Sequence, residues 1–113
     1  MLTVDTLKAF GANTEEGLGR CFNNEAFYLK LVGMGLTDAN FDRLKAAMDA
    51  GNVKEAFEAA HALKGSIGNL ALTPLYTPLS ELTEKLRGQS ALVDTGDLLD
   101  TILTQLDKAR ALL

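Results

Sequence analysis

Apolar residues in this 113-residue chain recur at intervals of three and four, and no stretch alternates apolar with polar. That period belongs to helices that bury one stripe. β-Branched residues are few, and Ala, Leu, Lys and Glu dominate, which agrees with helical preference. The pattern predicts a short opening helix over residues 4–10, ended by Gly11. A second helix is expected over 14–22, with Asn13 or Thr14 as N-cap and Glu15 and Glu16 in the favourable first turn. A third begins after Asn23 and carries Phe27, Leu31 and Met34 on its apolar face, with Gly33 and Gly35 weakening its end. A fourth spans 39–50, capped by Thr37 or Asp38, with Phe41, Leu44, Ala47 and Met48 inward and Gly51 closing it. The alternative to separate third and fourth helices is one long bent helix.

The fifth helix, over 52–70, is the longest. Thr73-Pro74 and Thr77-Pro78 each read as an N-cap followed by proline at the first helical position. The sixth helix is therefore expected to start at one of them and to end near Arg87, before Gly88. If it starts at Pro74, Pro78 falls past the first turn and should bend it. The seventh covers 97–112, capped by Asp94 or Thr95, with Leu98, Leu99, Ile102, Leu106 and Ala109 inward. Short connections between long helices predict an all-α protein: an antiparallel up-and-down four-helix bundle, with two short N-terminal helices packed across it. Residues 1–113 are expected to form one domain.

Composition narrows the classes. Apolar residues make up 47% of the chain, enough for a core, and the formal net charge is −4 with no basic stripe, which argues against nucleic acid. Cys21 is the one cysteine; an internal disulfide is excluded, and a buried structural thiol beside Leu18 and Phe22 is expected. No apolar run approaches the roughly 18 residues needed to span a bilayer, and no signal peptide is visible. A cytoplasmic monomer is the expectation, whether free-standing or cut from a larger protein. One histidine and one cysteine on different helices make a metal site improbable. The acids Asp38, Asp42, Glu55, Glu58, Glu81 and Glu84 are spaced for solvated helix faces, and Glu81–Lys85 reads as an i,i+4 pair. Met34 and Met48 read as core filling.

The informative segment is His61-Ala62-Leu63-Lys64-Gly65-Ser66-Ile67-Gly68-Asn69-Leu70, which holds the chain's one histidine. At about 100° per residue, Val53, Ala56, Phe57, Ala60, Leu63, Ile67 and Leu70 form the core stripe. His61 falls on its flank, with Gly65 and Gly68 one and two turns later and Lys54 two turns before. Lys64 lies one turn on, between His61 and the stripe, and Glu58 is the nearest acid. Each helix-interior glycine costs about 0.8–1 kcal/mol relative to alanine. Two of them on the flank of the single imidazole suggest a face kept bare for another protein; tight packing against a neighbouring helix is the competing explanation. Imidazole ionises near neutrality, so it can act as a nucleophile at physiological pH. Phosphorylated, it would carry about two negative charges, which Lys64 could stabilise without competing for the phosphoryl group. The chain shows neither a phosphate-binding glycine loop nor a carboxylate cluster, so the metal would have to come from the partner.

His61-Ala-Leu-Lys64-Gly65, followed by Gly68-Asn69-Leu70, closely resembles the signature of histidine phosphotransfer (HPt) domains. These all-helical modules carry a phosphoryl group on histidine between receiver domains of phosphorelays. The resemblance extends over about residues 24–87 in helix order. It implies that His61 accepts the phosphoryl group through Nε2 and that Lys64 lies beside that group. It also implies that Gly65 lets the partner approach beneath the ring and that Gly68 fills a frequently small position. Ala71 stands where the family often has glycine, a departure that could stiffen the helix end. The partners implied are response-regulator receiver domains or a hybrid histidine kinase. No cofactor is expected on this chain; Mg²⁺ would come from the receiver. No autonomous kinase or hydrolase activity is expected. The competing expectation is a helical adaptor that binds receivers without accepting phosphate.

Overall fold

A computed structural model describes residues 1–91 and 93–113, in which seven helices are found: α1 (Val4–Phe10), α2 (Thr14–Arg20), α3 (Glu25–Leu36), α4 (Asn40–Ala50), α5 (Val53–Asn69), α6 (Thr73–Leu86) and α7 (Leu98–Arg110). Four of them, α4 to α7, pack in chain order, each against the next. The result is the all-helical up-and-down bundle that the periodicity predicts. Its fourth edge closes where the corner between α3 and α4 meets the end of α7: Arg110 Nε donates to the Leu36 carbonyl at 2.7 Å, and its guanidinium lies over the Phe41 ring.

Several boundaries follow directly from local chemistry. Asn52 accepts from the Glu55 N–H and starts α5, while Gly51, at φ +70°, ends α4 in a left-handed turn that a side chain would strain. Phe41, Leu44, Ala47 and Met48 are buried as expected, and so are Ile102, Leu106 and Ala109 on α7, with Leu98 and Leu99 half-buried.

Other boundaries differ from expectation. Helix α2 stops at Arg20 because Phe22 and Asn23 both adopt left-handed φ of +57°. The third and fourth helices are separate. Ala39 is the N-cap of α4 without a side-chain bond; Asp38 accepts from the Asn40 N–H beside it. Helix α6 begins at Thr73 with Leu72 at its N-cap, so neither threonine caps it, and Pro78 is buried inside it. Asp97, not Asp94 or Thr95, precedes α7; Asp94 accepts instead from the Gly96 N–H.

The face of α3 also differs. Tyr28, Val32 and Leu36 are buried, whereas Phe27 is partly exposed and Met34 is 61% exposed, so Met34 is not core filling. Tyr28 decides the matter. Its hydroxyl donates to the Leu70 carbonyl at 2.9 Å, across 42 residues of sequence, and ties α3 to the end of α5. Burial pushes the phenol up to about 12. A raised folded-state value means stability that is complete below about pH 10 and lost as pH climbs through 12. Tyr28→Phe should cost about 1 kcal/mol at neutral pH and should flatten the stability loss between pH 10 and 12, as read by denaturant melts across that range.

Helices α1 and α2 lie across the turn between α5 and α6. The Asn13 N–H donates to the Ala71 carbonyl at 2.9 Å, and Arg20 Nη1 donates to the Gly68 carbonyl at 2.7 Å. Leu7 and Cys21 are buried there. Among the described residues, no helix is long and apolar enough to cross a membrane.

Candidate functional site

The site is built on α5. Its core stripe is Val53, Ala56, Ala59, Ala60, Leu63 and Ile67, all buried. His61 stands on the flank and is exposed. Side chains on a helix lean toward its N-terminus, so residues i and i−4 meet. Phe57 is that partner. Its ring lies 5.6 Å from the imidazole, centroid to centroid, with 15° between the planes. The Arg87 guanidinium of α6 lies 5.1 Å from the centre of the Phe57 ring. Phe57 is thus a half-buried platform at the edge of the core, set about 90° from the centre of the stripe.

The two glycines have different surroundings. A side chain at Gly65 would meet nothing within 4 Å, so this part of the helix is open, as expected. One added at Gly68 would approach the Tyr76 ring of α6 to 2.9 Å. Helix-to-helix packing therefore accounts for Gly68, and the bare surface is confined to Gly65. This contrast is measurable. Gly65→Ala should raise stability by about 1 kcal/mol, through helix propensity alone, and lift the melting temperature by about 4 °C. Gly68→Ala should give no such gain, because Tyr76 must move first.

Lys64 is not solvated freely. Its ammonium lies 3.7 Å from Glu84 Oε1 on α6. Glu84 also accepts from Arg87 Nε and Nη2, each at 3.2 Å, and these partners hold its carboxyl below the usual carboxylate range. So Glu84, not Glu81, forms the ion pairs of α6. Glu58, expected beside His61, is instead bound by Arg43 of α4 at 2.8 Å. Lys54 sits about 10 Å along the axis from His61, next to Glu55, and does not line the site.

A cleft of about 490 Å³ opens between α2, α5 and the start of α6, lined among others by His61, Lys64, Gly65, Gly68, Arg20 and Tyr76. Arg20 pairs with Glu16 and donates to the Gly68 carbonyl in the last turn of α5, where a cation is favoured. The turn that closes this end passes through Ala71 at φ +57°. Alanine there is strained rather than stiffening, and it occupies the kind of position that glycine fills without cost. Sequence reasoning did not find Arg20, Tyr76, Glu84 or Arg87. Among the described residues, no group of three or more His, Cys, Asp or Glu side chains is placed to hold a metal ion.

The model of the Hpt domain family matches residues 36–112, more than half of the chain. The chain belongs to the Hpt domain family. Hpt domains are helical bundles that serve histidine phosphotransfer in two-component systems, where they interact with response regulators and histidine kinases. The Hpt match takes in α4 to α7 and so contains His61, Lys64, Gly65, Gly68 and Lys54. It reaches further toward the C-terminus than the resemblance over 24–87, and α7 is part of it. Helix α2, which supplies one wall of the cleft, lies outside the match, and so does α1. No curated protein and no solved structure matches the chain.

Proposed function

We propose that this Hpt domain is a phosphocarrier that takes a phosphoryl group from the aspartyl phosphate of one receiver domain onto His61 and passes it to the aspartate of another. The observation that supports this most is the exposed imidazole, braced on Phe57, beside a helix surface left open at Gly65. In the forward step the Nε2 lone pair attacks phosphorus in line. The N–P bond forms as the P–O bond to the aspartyl carboxylate breaks, and that carboxylate leaves with the electron pair. Nδ1 keeps its proton throughout. The reverse step recharges a receiver.

Phosphoryl transfer depends on positioning and charge stabilisation. The bundle supplies position, because His61 projects from the longest helix and its ring is stacked. Lys64, one turn away, supplies positive charge for a group carrying about two negative charges. Mg²⁺ would be held by the receiver's own carboxylates. Incubation with a receiver domain phosphorylated on aspartate tests the proposal. A phosphocarrier acquires label that is lost in acid and survives alkali. A helical adaptor binds the receiver but acquires none, and that result would refute the proposal.

A further inference from the structure

Lys64 is engaged before any phosphoryl group arrives, and the carboxylate that engages it is shared unequally. Arg87 reaches Glu84 with two nitrogens at hydrogen-bond distance, Nε to Oε2 and Nη2 to Oε1. Lys64 lies 3.7 Å away, beyond that distance. Arg87 is also steadied on the Phe57 ring that carries His61. Glu84 is thus fixed from the side of α6, and Lys64 is the partner it can most easily lose.

We propose that Glu84 is a positioning residue that holds Lys64 in reserve, and that Lys64 exchanges Glu84 for the phosphoryl group on His61 while Arg87 keeps the carboxylate neutralised. This rests on the phosphocarrier reading of His61. The exchange is favourable because Lys64 leaves a single charge that it shares with Arg87 and gains a dianion one turn away. Arg87 makes it possible, since otherwise an unpaired carboxylate would face the new negative charge. The reserve is shallow. Glu84 is 56% exposed and Lys64 28%, and an ion pair this open shifts an equilibrium by no more than about fivefold.

The test compares the wild type with Glu84→Gln, Lys64→Ala and the double variant, each confirmed as folded by its melting transition. Phosphoramidate serves as a small phosphodonor that needs no receiver, and ³¹P NMR follows both the rate of uptake and the second proton dissociation of the bound phosphoryl group. Glu84→Gln should speed uptake about three- to fivefold and lower the phosphoryl ionisation when Lys64 is present. In the Lys64→Ala background the same change should have much less effect on both readouts. Equal changes in the two backgrounds would show that Glu84 acts by its own charge or by structure, and would overturn the proposal; so would no change with Lys64 present. A wild type that takes up no phosphoryl group at all overturns the phosphocarrier reading itself, and this inference with it.

Discussion

His61→Gln should reduce phosphoryl uptake to background and leave the bundle folded. Glutamine is polar and of similar reach, but its amide nitrogen has a delocalised lone pair and cannot form the N–P bond. The chain has no second histidine to take over. The fold should survive because the imidazole is exposed and stacks on Phe57 at the surface. An aromatic pair of this kind is worth about 0.5–1.5 kcal/mol when well packed, and less at the surface. Circular dichroism and a thermal melt should therefore show a native helical protein. Uptake is measured from phosphoramidate and from a phosphorylated receiver. Uptake retained by His61→Gln would move the phosphoacceptor elsewhere.

Gly65→Glu should cut transfer from a receiver on the order of 100-fold, because a like charge placed in a docking surface costs several kcal/mol. Helix α5 should remain intact. The substituted side chain meets nothing within 4 Å of its first carbon, and glutamate favours helix over glycine. The selectivity of the defect is the important part. Phosphoramidate is small and needs no broad docking face, so its uptake should fall far less than transfer from the receiver. Equal loss from both donors would place the defect at the imidazole, and wild-type transfer from the receiver would show that docking occurs elsewhere.

Gly65 and Gly68 look alike in the sequence, and their difference shows what a linear pattern can and cannot carry. His61, Lys64 and Gly65 were legible because they lie on one helix, where spacing fixes angle. The space beside Gly68 is filled by Tyr76, from a helix that returns after the turn at Ala71. No local signal marks that encounter. Glu84 was one of six acids spaced for solvated faces, and only the packing of α6 on α5 sets it apart. Arg20 reaches the site from α2 across 48 residues. Phe57, four residues before His61, was assigned to the core stripe, because an apolar ring at that spacing fits a core face and nothing local marks it as a support for the imidazole.

The same logic explains the elements. Helices α4 and α5 were legible because Gly51 and Asn52 punctuate them. Helix α3 was harder, since Phe27, Tyr28, Leu29, Leu31, Val32, Met34 and Leu36 surround it with apolar side chains. Periodicity cannot choose a face there; the Tyr28 hydroxyl bond to Leu70 does. Helix α2 ends early because Phe22 and Asn23 turn left-handed without a glycine to announce it.

The chemistry stands or falls with where phosphorus becomes attached. After reaction with a phosphorylated receiver, a proton–phosphorus correlation spectrum of the purified protein reads that bond directly. Coupling between phosphorus and the ring protons of His61, in the pattern of an Nε2 adduct, is the predicted result. Protein-bound phosphorus on a carboxylate or hydroxyl, or none bound at all, would contradict it.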